Sequence, residues 1–108
     1  PFEMQKLLDK YQKWTGFHPV VRACFLHGEF VKIHPFVDGN GRTARLLLNF
    51  ELIKNGYPPV IFKNEKRAEY YDALDKAHTS KDYTDFIKIV ANLVNESEDT
   101  YLFLNNKK

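Results

Sequence analysis

Cysteine is almost absent. One residue, Cys24, among 108 excludes an internal disulfide framework and any cysteine-based metal site. Its neighbours Ala23 and Phe25 mark it as a buried small hydrophobe. Charge of one sign is scarce too: 16 Lys and Arg stand against 14 Asp and Glu, and no like-charge run exceeds two residues. The basic stripe of a nucleic-acid binder is therefore missing, and no nucleic-acid partner is expected. No apolar run approaches the ~18–20 residues of a membrane span, so no membrane partner is expected either. The opening Pro-Phe-Glu-Met carries no signal-peptide pattern. A reducing cytoplasm is the expected compartment, although a secreted effector has the same composition. Repeats and low-complexity segments are lacking. What is present is 44% hydrophobic and 15% aromatic residues, enough for a folded globule. Residues 1–108 are expected to form a single domain with one core.

The apolar spacing predicts helices and little or no sheet. Phe2 to Trp14 places Met4, Leu7, Leu8, Tyr11 and Trp14 at helical intervals. Thr15-Gly16-Phe17 ends that helix, and Pro19 is suited to the first position of the next. His18 then reads as a cap or surface group. Pro19 to Ile33 aligns Val20, Ala23, Cys24, His27, Phe30 and Val31 on one stripe that leads to His34. His27 and His34 are ~10 Å apart along such a helix, too far to share one ion, so His27 reads as a hydrogen-bonded core residue. Arg42 to Asn55 reads as a third helix, apolar nearly all round and therefore the predicted centre of the core. Its polar exception, Asn49, sits at a packing edge or faces the site.

Asn55-Gly56 stops that helix, and Tyr57-Pro58-Pro59 forces an extended stretch. Val60-Ile61-Phe62 reads as a short strand or as apolar filler. Asn64 caps a predicted fourth helix running to about His78, with Ala68, Tyr71, Leu74, Ala77 and His78 at helical spacing. Asp82 begins the fifth, and Asn105 to Lys108 is a polar tail. The expected fold is all-α, a compact bundle of about five helices.

The chemistry concentrates between His34 and Arg45. Gly39-Asn40-Gly41 suits a turn with positive φ, whose successive N–H groups line an anion nest. The helix that follows offers unpaired N–H groups and a positive dipole end. Arg42 and Arg45 in its first turn oppose that dipole unless an anion lies beside them, and their forks match phosphate oxygens. Asp38 adds a hard oxygen ligand of the type Mg²⁺ takes beside phosphates. His34 adds an imidazole able to accept a proton from a hydroxyl. Phe36 reads as an inward anchor of the loop.

In order, these residues spell His-Pro-Phe-x-Asp-Gly-Asn-Gly-Arg-x-x-Arg, and the stretch resembles the signature of the Fic family at every fixed position. The resemblance implies the Fic or Fido fold and transfer of AMP from ATP to a protein hydroxyl. It implies His34 as general base, Asp38 as the Mg²⁺ ligand, and Gly39, Asn40 and Gly41 as the anion hole for the diphosphate. Arg42 and Arg45 would hold the β- and γ-phosphates, Phe36 would anchor the loop, and Tyr71 is the aromatic expected near adenine. His78 stands where the family often has Asn. The family's upstream β-hairpin flap, which docks the target, is expected to precede Pro1. No Ser or Thr here has Glu four residues later, so the family's inhibitory Ser/Thr-x-x-x-Glu helix is expected on a segment or partner outside these residues. Other expected outcomes for the same site are removal of AMP, transfer of another phosphate-linked group, or nucleotide binding without chemistry.

Overall fold

In the computed structural model, the backbone is described for residues 2–33 and 39–106 and side chains for 3–33 and 39–99. The described residues form five α-helices and no strand: α1 (Phe2–Lys13), α2 (Pro19–Ile33), α3 (Asn40–Lys54), α4 (Arg67–Ser80) and α5 (Thr84–Asn106). Among them no helix is long and apolar enough to cross a membrane. The fold is an all-α bundle, as the periodicity predicts.

The apolar stripe of α2 decides the layout. Val20, Ala23 and Cys24 pack on Leu48 and Leu52 of α3 and on Phe86, Val90 and Val94 of α5. A second cluster, Leu7 with Phe30 and Ala44, seats α1 across α2 and α3. His18 caps α2: its Nδ1 accepts the Val20 N–H at 3.1 Å, and its Nε2 meets the Tyr57 hydroxyl at 3.0 Å. Gly56, at φ 87°, turns the chain out of α3. There the Tyr57 N–H donates to the Leu52 carbonyl at 2.9 Å and the Gly56 N–H to that of Ile53 at 3.0 Å. This bond pair is the left-handed helix stop that Asn55-Gly56 predicts.

Several expectations need correction. Helix α3 begins at Asn40, two residues before the predicted Arg42. It is not buried all round: Leu46, Phe50 and Ile53 are 63, 62 and 56% exposed on the flank opposite the core. Only the Ala44, Leu48, Glu51 and Leu52 side has neighbours to pack against. Val60 to Phe62 form no strand. Asn49 instead clamps Val60, donating to its carbonyl at 3.0 Å and accepting its N–H at 2.8 Å. Asn64 makes no cap; it opens a short 3-10 turn, and α4 starts at Arg67. The buried face of α4 is Tyr70, Ala73, Leu74 and Ala77, so Ala68 and Tyr71 point outward. Asp82 lies before α5 and accepts the Thr84 N–H at 3.0 Å. Helix α5 continues to Asn106, past the predicted start of the tail.

Where α2 meets α4 and α5, Gly28 has no room for a side chain: a Cβ there would lie 2.3 Å from the Tyr83 hydroxyl oxygen. That hydroxyl donates to Glu29 at 2.8 Å, and the Gly28 carbonyl accepts from His78 Nε2 at 2.9 Å. Gly28→Ala must push the rigid Tyr83 ring away. The overpacking costs about 1–3 kcal/mol, offset by ~1 kcal/mol of helix propensity. The expected net effect is a loss of about 1 kcal/mol in urea denaturation, and a gain would contradict this packing.

Candidate nucleotide site at the start of helix α3

One residue makes the turn into α3. Gly39 has φ 82° and Asn40 is already helical, so neither Asn40 nor Gly41 adopts the positive φ expected of a nest. The Thr43 N–H donates to the Gly39 carbonyl at 2.9 Å, the first bond of the helix. The N–H groups of Gly41 and Arg42 therefore have no acceptor within the helix and carry its dipole's positive end. Gly39 brings no capping side chain. The Asn40 residue is only 6% exposed.

Gly41 has a different use from the one its sequence position suggests. A Cβ there would lie 3.1 Å from Nη1 of Arg45. The missing side chain lets the Arg45 guanidinium fold back over the first turn of its own helix. Arg45 shares the lining of one recess with Tyr70. Arg42, one turn earlier on the same helix, is exposed, whereas Arg45 is half-buried.

Behind Tyr70 stands His27, fully buried, with Nε2 2.6 Å from the Tyr70 hydroxyl. Burial, and then the charges of Arg45 and His78, push the His27 pKa down to about 3. Its ring is neutral at physiological pH, the hydrogen-bonded core residue that the stripe of α2 predicts. Burial raises the Tyr70 pKa and outweighs the opposing pull of Arg45.

Arg45 opens onto a recess of about 200 Å³ between the start of α4 and the segment before it. Arg45, Lys63 and Arg67 supply three cations, Phe62, Tyr70 and Tyr71 the aromatic walls, and Asn64 a polar edge; among the described residues no carboxylate lines it. The Arg67 guanidinium lies 5.5 Å from the centre of the Tyr71 ring, and its Nη2 is 3.5 Å from the Tyr71 hydroxyl oxygen. Such a recess suits an anionic ligand with a planar, stackable part.

The structure brings together Gly39, Asn40, Gly41 and Arg45 at one helix end, and Arg45 and Tyr71 at one recess. His34, Phe36 and Asp38 lie outside the described residues. Among the described residues no group of three or more His, Cys, Asp or Glu side chains could hold a metal ion. Sequence reasoning missed Phe62, Lys63 and Arg67. Arg67 had a readable signal, four residues before Tyr71 on one helix flank. Phe62 and Lys63 had none, because only tertiary packing brings them to Arg45.

The fold is an all-α bundle with cationic side chains near a glycine-led helix start. Known proteins place it further. The sequence model of the Fic/DOC family matches residues 1–52. The chain is 38% identical, over 109 aligned residues, to the protein adenylyltransferase Fic of Drosophila persimilis, covering 95% of this chain and 21% of that protein. Fic-1 of C. elegans superposes with a TM-score of 0.82 at 39% identity, covering 94% of this chain and 32% of that one. A Fic domain containing signaling protein from Bacteroides thetaiotaomicron also superposes with a TM-score of 0.82, at 32% identity, covering 90% and 42%. The chain belongs to the Fic/DOC family. It spans about a fifth of the length of the curated relatives it matches.

Proposed function

We propose that residues 1–108 are the catalytic core of a protein adenylyltransferase, which moves AMP from ATP to a Ser, Thr or Tyr hydroxyl of a target protein. The observation that carries this reading is the Arg45 guanidinium lying between the first turn of α3 and the aromatic wall of a recess that no carboxylate lines among the described residues. The activity named for the relatives supports it.

In this reading the β- and γ-phosphates lie at the start of α3, against Gly39, Asn40 and Gly41, with Arg45 on one side and Arg42 on the other. Tyr71 and Arg67 flank the base. His34 takes the proton of the acceptor hydroxyl. The oxygen bonds to the α-phosphorus, and the bond from that phosphorus to the bridging oxygen breaks, releasing pyrophosphate. Alignment and charge stabilisation supply the acceleration. Asp38, with its hard carboxylate oxygens, is the residue for Mg²⁺, which would neutralise phosphate charge.

Two labels on ATP test the proposal. Incubated with lysate, the protein should move the α-³²P label onto protein and leave the γ-³²P label in pyrophosphate. Transfer of the γ label would mean phosphate transfer. ATP binding in calorimetry with neither label transferred would mean a binding module.

A further inference from the structure

We propose that Asn64 selects adenine over guanine in the recess beside Arg45; this rests on the nucleotide reading above and adds to it the group that reads the base. Stacking against Tyr71 and Arg67 suits any base, because every base has a flat face. Selection must come from hydrogen bonds at the base edge. There the two purines differ. Adenine presents an amino donor at N6 beside an acceptor at N7, whereas guanine presents two acceptors, O6 and N7.

A wall of cations favours guanine, since Lys and Arg only donate. Lys63 and Arg67 line the recess and pair with no carboxylate among the described residues, while Lys66 nearby lies 3.7 Å from Glu69. With these donors alone the recess would be a guanine site. A preference for adenine needs a side-chain acceptor beside them.

Among the described lining residues, Asn64, Tyr70 and Tyr71 carry a side-chain oxygen that can accept. The two phenols are engaged: the Tyr70 hydroxyl lies 2.6 Å from His27 Nε2, and that of Tyr71 lies 3.5 Å from Arg67 Nη2. The Asn64 amide is exposed and has no hydrogen-bond partner among the described residues. Capping, the usual reason for Asn at a helix start, is not its use here, because it caps neither the 3-10 turn nor α4. Asn64 stands three residues before Arg67, which stands four before Tyr71, so the amide continues the flank that carries that pair. An amide matches adenine: Oδ1 accepts from N6 while Nδ2 donates to N7. On guanine the same amide sets Oδ1 against O6, acceptor against acceptor.

Calorimetry with Mg·ATP and with Mg·GTP reads the selection as a ratio of affinities. Wild type should bind ATP roughly tenfold more tightly than GTP. Asn64→Ala should remove that advantage and bring the ratio to one or below. Asn64→Arg, whose fork matches O6 and N7, should reverse the preference. The ratio is the informative quantity, because a change of charge or a merely structural role would move both affinities together. An unchanged ratio in Asn64→Ala, or a wild type that prefers GTP, overturns the role of Asn64 and leaves the nucleotide reading standing. Failure of the wild type to bind either nucleotide overturns the nucleotide reading instead.

Discussion

Alanine in place of His34 will lower AMP transfer by about two to four orders of magnitude and leave ATP affinity within about twofold of wild type. The reason is a division of labour between elements. The phosphate grip proposed here comes from α3, through Gly41 and Arg45, and from the start of α4, through Tyr70 and Arg67. The end of α2 is itself held from the side, since His78 donates to the Gly28 carbonyl and Tyr83 to Glu29. Losing the imidazole therefore removes the acceptor for the hydroxyl proton while the grip on ATP persists. Single-turnover transfer of the α-³²P label measures the first effect and calorimetry the second. If the variant labels targets at the wild-type rate, no base of this kind is used. If ATP affinity collapses with the rate, the imidazole belongs to the binding site.

The helices were legible because each one's stripe has a partner in sequence-periodic form. Ala23 and Cys24 on α2, and Phe86 and Val90 on α5, are all fully buried where the spacing predicts. Gly56 also reads directly, since a left-handed residue must end α3 and glycine adopts that conformation without strain. The outer flank of α3 could not be read this way. Leu46, Phe50 and Ile53 state a preference for burial, but a pattern does not count the neighbours available to satisfy it. Asn64 misled for a related reason: capping residues favour helix starts, yet the chain there takes a 3-10 turn first.

The site was legible as a list of residues more than as a geometry. The signature groups Gly39 to Arg45 as neighbours, which suggests one nest with two matching forks. Folding separates them. Of the three, Gly39 has the positive φ, Gly41 yields space to Arg45, and Arg42 is exposed. Arg45 meets Tyr70, from a different helix, at one recess, and no local rule connects that pair. Local chemistry marked where the charge is; long-range packing set where it points.

Arg22→Ala will destabilise the fold by about 3–5 kcal/mol, a large share of the roughly 5–15 kcal/mol of a typical domain. Glu51 is 1% exposed, and the Nε of Arg22 meets its Oε1 at 2.9 Å. The other nitrogens of that fork donate to Asn55 Oδ1 at 3.0 Å and to the Phe17 carbonyl at 3.0 Å, tying the turn after α1 to the end of α3. Tyr11 donates to Glu51 Oε2 at 2.6 Å, and Lys54 lies 3.5 Å from the same oxygen. Burial pushes the Glu51 carboxyl up, but the bonds from Tyr11 and Arg22 and the charges of Lys54 and Arg22 outweigh it and hold the pKa below 4.5. Without Arg22 a buried carboxylate keeps Tyr11, Lys54 and a long 3.5 Å bond from Asn55, and loses its closest cation. The sign with pH follows: a depressed carboxyl contributes stability above its unfolded pKa and loses it as pH falls through the folded one. The gap between wild type and variant should therefore narrow from pH 7 toward pH 4, because a protonated Glu51 has no need of a cation. Adding Glu51→Leu to the variant should recover much of the loss, since the uncompensated charge goes with it. Urea denaturation at the two pH values measures all three. A loss below about 1 kcal/mol at pH 7, the size of an exposed pair, would mean that water reaches Glu51 and that α1 is held by Leu7 and its apolar neighbours alone.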